Sequence, residues 1–577
     1  MLDSFFRKVR KRVSKSRNTR DIDPDEILID AKNLPEFNTH QFEGRIERPI
    51  AFKTILVFSI VLLFLLPGLL IRAYVLQVQD GNAYATESQN NGLESDTIFA
   101  ERGAIFDTNG VKLAWNSPDP DQTDFSLRSY APIDGLGLLL GYVKYPTKDS
   151  SGIYYRKDFV GEAGVEKYYD DQLKGQNGSE LTETDVKGNI VSQSIVMPPI
   201  NGQDITLTID SRIQAELYDQ IQGLAERVGF TGGAGAIMDV TNGNIVAMAS
   251  YPEYDSSVMT EGTDTSLIQQ YLKDPDEPFL NRFVGGLYAP GSIVKPYMAL
   301  AAQKENVIDP NQWILTTGSI SIPNPYDPNI LSIFKDWQNN GSLDMEKAIA
   351  MSSDVYFYIV GGGYAPLNIG GLGISRIDEY MSKMGFGNWT GQGLFAGPVG
   401  NVPSPMWKAT AFPNDPIWRL GDTYHTAIGQ YGFQVTPLQM LRAVASIANG
   451  GTLLEPNIIK SGAPAAGAPS QTLPFTADEY TIVRTGMNMG VTQGGPAQGL
   501  DVPYVNIAAK TGTAQIGTNN QYLNSWVTGF FPYDNPRYAF AVVMQQGPNT
   551  NDLGGVYVMR GLLDWINQNT PEYFKTQ

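Results

Sequence analysis

The chain has 577 residues, of which 42% are hydrophobic and none is cysteine, and its formal net charge is −18. This length suggests two or three domains, the composition is typical of a folded protein, and the absence of cysteine excludes a disulfide framework. The two histidines, His40 and His425, are too few for a zinc site of ordinary ligand type, and the acidic balance argues against a nucleic-acid partner, because neutralising phosphates requires a cationic face.

The N-terminal segment combines a basic arm with a long apolar run. Residues 1–76 hold 13 basic and 9 acidic residues, whereas residues 77–577 hold 29 and 51. From Ile55 to Leu76 there are about 20 apolar residues, enough to cross about 30 Å of hydrocarbon. A cleavable signal peptide is the alternative, but it would be shorter, begin earlier and end in Ala-x-Ala. We predict a basic cytoplasmic tail at 1–50, a single retained transmembrane anchor at 51–76 and an extracytoplasmic body on the cytoplasmic (inner) membrane.

Residues 77–205 are predicted to be rich in β-structure, because short strand-like runs alternate with turn signals. These signals include Asn109-Gly110, Asn177-Gly178 and Gly188-Asn189. Nothing in the composition of this region resembles catalytic machinery. We therefore expect a spacer between the anchor and the rest of the body.

Residues 206–577 are predicted to form a mixed sheet flanked by helices. Asp204–Ile209 alternates like a strand, and Asp210-Ser211 then provides capping chemistry for a helix with one apolar face. The other predicted elements are a hairpin of residues 234–240 and 245–250 around Asn242-Gly243, a mostly helical segment at about 290–450, a surface loop at 460–474, strands near 504–515 and at 538–545, and a helix at 556–566. Together they indicate an α+β protein of several domains.

The first motif with chemical meaning is Ser292 followed by Lys295. Pro290-Gly291 punctuates the chain just before it, and Pro296 suits a first helical turn, so we expect Ser292 to open a helix. Side chains three residues apart then share a face, which places an amine beside a hydroxyl that it can deprotonate. A capping serine followed by a surface lysine is the alternative reading of this motif when it stands alone.

The second motif is Ser352-Ser353-Asp354, which precedes a run of aromatic residues. Read as structure, it is the N-cap of a buried helix. Read as function, Ser352 relays a proton and Asp354 holds hydrogen bonds at a cleft. Both readings are open for this motif by itself.

The third motif is Lys510-Thr511-Gly512-Thr513, after the alternating run Tyr504–Ala509. We expect it on an edge strand, where an extended acyl donor could add by main-chain hydrogen bonds. Gly512 has no Cβ and would let the substrate backbone approach closely. Lys510 and the hydroxyls would supply positive potential and hydrogen bonds for a carboxylate. A lysine on a solvated strand is the alternative.

The order of the three motifs is more informative than any one of them. A serine, a lysine one turn away, a second hydroxyl and a cationic strand edge describe one site that acylates a serine with the carbonyl of a peptide or a β-lactam. A Ser-His-Asp triad would have to use His425, which lies in no recognisable nucleophile context.

With these motifs in this order, the sequence resembles the class B penicillin-binding proteins from the anchor onward. Ile71–Val78 is similar to the end of that family's anchor, and Arg102–Gly110 to the motif that opens its pedestal domain. Gly161–Glu166 is similar to a later pedestal signature. Ala427–Gln430 and Thr436–Gln439 resemble a segment of the family's transpeptidase domain.

Within the family, the resemblance is greatest to the elongation-type members, penicillin-binding proteins 2. Pro290–Tyr297 and the aspartate at 354 carry this likeness, since division-type members more often have asparagine there. Ile293 replaces the usual threonine, and Asn524–Val527 replaces a string that often contains histidine. Some relatives bind zinc through Cys and His, and because this chain lacks cysteine we expect no metal and no other cofactor.

The resemblance implies a multidomain α+β fold. It places an elongated, β-rich pedestal of the penicillin-binding protein dimerisation type at 77–205 and a penicillin-binding transpeptidase domain, similar to serine β-lactamases, at 206–577. The implied enzyme is a serine-type D-Ala-D-Ala transpeptidase that cross-links peptidoglycan during cell-wall elongation, and β-lactams would inhibit it.

The resemblance also implies a role for each motif residue. Ser292 would attack the donor carbonyl, Lys295 would take its proton, and Ser352 would pass a proton to the leaving amine. Asp354 and Lys510 would complete the catalytic set, and the backbone N–H groups of Ser292 and Thr513 would form the oxyanion hole. Substrate binding would fall to Thr511, Gly512 and Thr513.

The implied partners are donor and acceptor stem peptides, β-lactams, a SEDS-family glycosyltransferase, other elongation-complex proteins and the membrane. Four alternatives remain open: a division-type transpeptidase, a D,D-carboxypeptidase, a β-lactamase-like hydrolase, and an inactive β-lactam sensor or scaffold. The pedestal-like region argues against the hydrolases, and the intact Ser292, Lys295, Ser352 and Lys510 argue against an inactive protein.

Overall fold

The computed structural model describes residues 52–79, 93–184, 190–460 and 470–575. The chain divides into two units, residues 1–92 and residues 93–577. The basic tail predicted at 1–50 lies outside the described residues, as does most of the loop predicted at 460–474.

The first unit contains one long apolar helix. Helix α1 spans Phe52–Tyr74 and continues as a π-helical turn, Val75–Gln79. Its stretch Leu56–Gln77 has a mean hydropathy of 2.5, and by length and composition it is the one helix in the described part of the chain that could cross a membrane. The predicted apolar helix is therefore confirmed.

The second unit begins with a region of short strands and turns, here called the pedestal region (residues 93–206). Its strands are β1 Leu93–Ile98, β2 Ile105–Phe106, β3 Lys112–Asp119, β4 Gln122–Tyr130, β5 Val143–Lys144, β6 Thr147–Lys148, β7 Tyr154–Arg156, β8 Val160–Gly161, β9 Gly178–Thr184, β10 Ile190–Met197 and β11 Ile205–Thr206. Its helices are α2 Gly137–Leu140, α3 Gly164–Tyr168 and α4 Asp170–Leu173. Strands β1, β9 and β10 form one antiparallel sheet, and β11, β2, β3 and β4 form another, in which β11 runs parallel to β2. The predicted β-rich character is confirmed.

The pedestal region is held together by four buried or partly buried charges. Glu166 is fully buried and receives Arg102 Nε at 2.6 Å on one oxygen and Arg128 Nε at 2.7 Å on the other. Arg102 Nη1 also binds Asp170 at 2.8 Å. Burial alone would raise the pKa of Glu166, but Arg128 and Arg102 outweigh burial and hold that pKa below its usual value. We call Arg102, Arg128, Glu166 and Asp170 the pedestal network.

The C-terminal region, residues 207–575, surrounds one larger sheet. Its main strands are β12 Gly232–Asp239, β13 Ile245–Tyr251, β20 Ala508–Ile516, β21 Tyr522–Phe531 and β22 Tyr538–Pro548, and its shorter strands are β14 Ile314–Thr316, β15 Ser319–Pro323, β16 Leu331–Lys335, β17 Gly341–Leu343, β18 Thr452–Leu453 and β19 Gln471–Thr472. The main sheet has the order β13-β12-β22-β21-β20, and each neighbouring pair is antiparallel. Strand β20 therefore forms an edge, as predicted.

Helices cover both faces of this sheet. They are α5 Ser211–Val228, α6 Ser256–Glu261, α7 Thr265–Lys273, α8 Arg282–Gly285, α9 Lys295–Lys304, α10 Met345–Ala350, α11 Asp354–Gly362, α12 Ile374–Lys383, α13 Pro405–Ala411, α14 Leu420–Ala427, α15 Pro437–Ala448, α16 Ala477–Thr492 and α17 Gly555–Asn569. One buried apolar cluster includes α5 and α17, and a larger one includes α9, α10 and α15. The predicted α+β arrangement of a sheet flanked by helices is confirmed.

Local signals predicted several of these elements well. Asp210 caps α5 by accepting from the Arg212 backbone N–H at 3.1 Å, and β12, β13 and α17 lie where they were expected. The strand expected from residue 504 begins only at Ala508. Strand β21 was not predicted, because its polar residues and Gly529 interrupt the apolar pattern although the sheet buries it between β20 and β22.

Candidate active site

Ser292 lies in a tight turn that precedes helix α9. The turn is a 3-10 helix, Gly291–Val294, that runs directly into α9, so Ser292 lies in the first helical turn as predicted, and the α-helical part begins at Lys295. Gly291 has φ +57°, and its N–H donates to the Gly429 carbonyl at 3.0 Å. A residue with a side chain would be strained in this left-handed conformation, so the glycine at position 291 allows the backbone to form the turn. Ser292 stays half-buried beside the cleft.

Lys295 is fully buried and points at the second motif. Its Nζ donates to the Ser352 carbonyl at 2.6 Å and to Asp354 Oδ1 at 2.6 Å, and it lies 3.4 Å from Ser352 Oγ. A buried ammonium costs free energy unless it is paired and hydrogen-bonded. The Ser352–Asp354 turn supplies both the negative charge and the acceptors, so the first two motifs form one unit.

Lys510 reaches the same hydroxyl from the other side. Its Nζ lies 2.7 Å from Ser352 Oγ and 3.0 Å from the Thr511 carbonyl. Burial lowers the pKa of Lys510 well below its ordinary value, the charge of Lys295 lowers it further, and Asp354 opposes both. Ser352 Oγ thus stands between two lysine amines, which suits a hydroxyl that relays a proton.

The turn that carries Ser352 is strained and clamped. Ser352 has φ +56°, an uncommon conformation for a residue other than glycine. The Asp336 carboxylate receives the Ser353 hydroxyl at 2.6 Å, the Asp354 N–H at 3.0 Å and the Val355 N–H at 3.1 Å. Asp336 therefore holds the turn that presents Ser352 to the lysines.

Asp336 was missed by sequence reasoning. It lies 17 residues before Ser353, after β16, and no local pattern ties it to helix α11. The helix cap within the motif is Ser353, whose hydroxyl accepts from the Tyr356 N–H at 3.2 Å. Ser353 is therefore the N-cap residue that the motif predicts, and the hydroxyl of Ser352 is free to interact with the two lysine amines.

The third motif lies on edge strand β20 against the Ser292 turn. A Cβ on Gly512 would stand 2.6 Å from the Pro290 carbonyl oxygen. The prediction that Gly512 leaves room for the substrate backbone is therefore wrong, because that space is filled by the turn that carries the nucleophile. Thr511 is half-buried and Thr513 is exposed, so both are open to a ligand along the strand edge.

The wall formed by Asn524–Val527 belongs to β21. Trp526 is buried, and its Nε1 donates to the Ala289 carbonyl at 3.0 Å. This contact supports the chain just before Pro290. The turn that carries Ser292 is thus held by residues that are distant in the sequence, such as Trp526 and Gly429.

The described residues contain no group of three or more His, Asp or Glu side chains that could hold a metal ion. The zinc site that some relatives carry has no matching donor set in this part of the chain. The candidate site consists of the lysines Lys295 and Lys510, the carboxylate of Asp354 and the hydroxyl groups of Ser292, Ser352, Thr511 and Thr513, with Asp336 supporting the Ser352 turn.

Comparison with known proteins places this geometry in a family. The model for the penicillin-binding protein transpeptidase domain matches residues 233–557, and the model for the penicillin-binding protein dimerisation domain matches residues 123–207. The chain is similar to the peptidoglycan D,D-transpeptidase MrdA of Haemophilus influenzae, with 28% identity over 83% of this chain and 74% of that protein.

Two solved structures have a similar fold. Pseudomonas aeruginosa PBP2 in complex with WCK 5153 is 28% identical, with a TM-score of 0.68 over 84% of this chain and 98% of that one. Helicobacter pylori PBP2 in complex with MreC is 25% identical, with a TM-score of 0.68 over 83% of this chain and 100% of that one.

Proposed function

This chain belongs to the penicillin-binding protein transpeptidases, and on that premise we propose that it is an elongation-type peptidoglycan D,D-transpeptidase that β-lactams acylate. The observation that carries the proposal is the meeting of Lys295 and Lys510 on Ser352 beside the Ser292 turn. The similarity to MrdA and to PBP2 structures favours the elongation type over the division type.

In the proposed reaction, Ser292 Oγ attacks the carbonyl of the penultimate D-Ala of a donor stem peptide. The neutral amine form of Lys295 takes the hydroxyl proton, and the resulting ammonium is stabilised by Asp354, which lies 2.6 Å from its Nζ. The proton reaches the leaving D-Ala nitrogen through Ser352 Oγ. The amine of an acceptor stem peptide then resolves the ester and frees Ser292.

The backbone N–H groups of Ser292 and Thr513 are proposed to form the oxyanion hole. A Cβ added to Gly291, the residue before Ser292, would lie 3.5 Å from the backbone nitrogen of Thr513. The two proposed donors therefore lie on neighbouring segments of the backbone. Preorganised N–H donors of this kind stabilise the charge that develops on the carbonyl oxygen.

The donor is proposed to add along the edge of β20. Thr511 and Thr513 would bind the terminal carboxylate of the donor. Lys510 is only 2% exposed, so it would attract that carboxylate through its positive charge without contacting it. This departs from a direct ion pair between Lys510 and the substrate. Lys510 would thus have two roles: it would make the electrostatic potential at the edge of β20 positive, and it would take part in proton transfer at Ser352 Oγ.

We further propose that the apolar helix α1 anchors the protein, with the basic tail in the cytoplasm, residues 77–205 as the pedestal and residues 206–577 as the transpeptidase domain outside. The basic residues before the span and the acidic body after it support this orientation. Protease added to spheroplasts should digest the body and spare the tail. Protection of the body would contradict the orientation.

The proposed partners are a SEDS-family polymerase and elongation-complex proteins, reached through the anchor and pedestal. The complex of H. pylori PBP2 with MreC supports a partner of this kind. A docking surface on the pedestal would not need the catalytic groups, so substitutions there should spare acylation and impair polymerisation by the partner.

A purified full-length protein tests the function. A peptidyl thioester donor and a stem peptide with a free amine should give a new amide, seen by mass spectrometry, and Ser292→Ala should give none. Hydrolysis without amide formation would indicate a carboxypeptidase or β-lactamase-like hydrolase. Absence of both, with penicillin still bound reversibly, would indicate a sensor or scaffold.

A further inference from the structure

A cavity of about 790 Å³ lies in the C-terminal region. It opens between the hairpin β15–β16 and the segment from α13 to Tyr431, and several aromatic residues line it, among them Phe334, Tyr424 and Tyr431. Tyr431 has φ +64°, a strained conformation that tends to occur at functional sites. The mechanism above makes no use of this cavity.

The cavity shares its supporting elements with the candidate active site. Phe334 on β16 stands two residues before Asp336, which clamps the Ser352–Asp354 turn. On the other side, the chain that follows α14 reaches Gly429, whose carbonyl accepts from the Gly291 N–H at 3.0 Å. The two elements that line the cavity therefore also position the relay turn and the nucleophile turn.

His425 stands on the last turn of α14 and lines the cavity. Its ring centroid is 5.5 Å from that of Phe334 and 6.3 Å from that of Tyr358, and its side chain is exposed where it lines the cavity. Burial lowers the pKa of His425, while the charges of Asp422 and Asp354 oppose the shift. A lowered pKa favours the neutral imidazole, which is the form that can accept a proton.

Most of the fixed charges around His425 are already paired. Lys408 Nζ lies 2.6 Å from Asp422, Arg419 Nη1 lies 2.7 Å from Asp415, and Asp354 binds Lys295. The titratable groups that face the cavity or His425 are these ions and the phenols Tyr326, Tyr358, Tyr364, Tyr424 and Tyr431. His425 is the imidazole among them, the side-chain type that ordinarily exchanges its proton closest to physiological pH.

The reaction needs a second substrate with an amine, and the amine must be neutral to attack. If the donor lies on the edge of β20, the acceptor needs a different place, and this cavity shares its supporting elements with the Ser292 and Ser352 turns. We propose that the cavity binds the amine-bearing side chain of the acceptor stem peptide and that His425 removes the first proton from its ammonium. This inference rests on the proposed function and adds a site to it.

The step balances as follows. The acceptor ammonium gives one proton to the His425 imidazole, which later releases it to water. The neutral amine attacks the acyl carbon, a C–N bond forms and the bond from that carbon to Ser292 Oγ breaks. The second N–H proton passes through the Lys295–Ser352 pair to Ser292 Oγ, which restores the hydroxyl.

The test separates acylation from aminolysis in the full-length protein. The penicillin acylation rate and the ratio of amide to hydrolysis product are measured for wild type and His425→Gln, with a peptidyl thioester and a stem peptide carrying one side-chain amine. His40→Gln, in the N-terminal tail, is the matched control. His425→Gln should acylate at the wild-type rate and lose about 100-fold in amide formation near pH 7. The loss should shrink as rising pH deprotonates the amine in solution.

A second variant tests binding apart from proton transfer. Phe334→Ala widens the cavity and should raise the acceptor concentration needed for half-maximal amide formation, with little change in the rate at saturation. His425→Gln should do the reverse. Wild-type amide formation by His425→Gln near pH 7, or an equal loss of acylation, would overturn the inference, whereas failure of wild type itself to form amide would overturn the proposed function.

Discussion

The pedestal network and the active-site network are both built from buried charges, and they differ in the cations they use. The pedestal network sets two arginines, Arg102 and Arg128, against two carboxylates. The active-site network sets two lysines, Lys295 and Lys510, against one carboxylate, Asp354. The first is matched in charge, and the second carries one cation in excess.

The difference explains what each network does. An arginine keeps its proton in proteins, and its planar fork binds carboxylates at fixed angles, so the pedestal network is a permanent brace. A buried lysine yields its proton more easily, and burial, together with the charge of Lys295, lowers the pKa of Lys510 well below its ordinary value. The same residue classes therefore give rigidity in one region and proton transfer in the other.

The most direct test of these different roles is to exchange lysine and arginine between the two networks. Lys295→Arg keeps the charge beside Asp354 but removes a group that can accept a proton. Penicillin acylation should fall by about 10²- to 10⁴-fold, the usual contribution of a positioned acid or base. Stopped-flow acylation measures the rate, and Arg102→Lys is the matched exchange in the pedestal, where acylation should stay at the wild-type rate. Equal losses from both exchanges would contradict the division of roles.

Glu166→Gln should unfold the pedestal more than it affects chemistry. Two arginines would remain buried with one carboxylate fewer, and breaking a buried pair costs about 3–5 kcal/mol. Denaturant unfolding should show that loss in the free energy of unfolding, while the folded fraction acylates normally. Glu162→Gln, on a partly exposed pair with Lys144, is the control and should change stability little.

Asp336→Asn should loosen the turn that carries Ser352. The carboxylate accepts the Ser353 hydroxyl and two backbone N–H groups, and an amide cannot accept all three. Losing bonds to a charged acceptor costs about 1.5–3 kcal/mol, so the acylation rate at saturating penicillin should fall about 10- to 100-fold. Asp327→Asn, in the loop of the same hairpin, should leave the rate unchanged. If both variants lose rate equally, the hairpin as a whole matters and the clamp does not.

Glu253→Gln should give the smallest effect and a pH signature. Glu253 joins the two regions by accepting from the Gly135 N–H at 2.7 Å and the Leu138 N–H at 3.3 Å, and burial raises its pKa to about 7. Because the pKa of Glu253 is higher in the folded state than in the unfolded state, the protonated carboxyl stabilises the fold. This contribution is complete at pH values below about 4.5, the unfolded-state pKa, and is lost as the pH rises through about 7.

Thermal unfolding from pH 5 to pH 8 measures this signature. The wild type should lose stability over that interval by a few degrees more than Glu253→Gln, whose amide does not titrate. Parallel melting curves for the two proteins at all pH values would show that Glu253 does not titrate in this range.

The sequence predicted the parts of this molecule that local signals encode. The helical turn at Ser292, the edge strand at Lys510 and the Asp210 cap each depend on residues a few positions apart. The contacts of Asp336 with Ser353 and of Gly429 with Gly291 were missed because they join residues 17 or more positions apart. Strand β21 was missed because polar residues and Gly529 interrupt its apolar pattern. Arg102 and Glu166 were noticed only as parts of family motifs, and their ion pair, 64 residues apart, became visible only in the fold.

The central claim is that Ser292 is the acylated residue. Incubation of the full-length protein with a β-lactam, followed by digestion and mass spectrometry, tests it directly. The account predicts a covalent adduct on the peptide that contains Ser292 and none in the Ser292→Ala protein. An adduct on Ser352 or Ser353 in the wild type would contradict it.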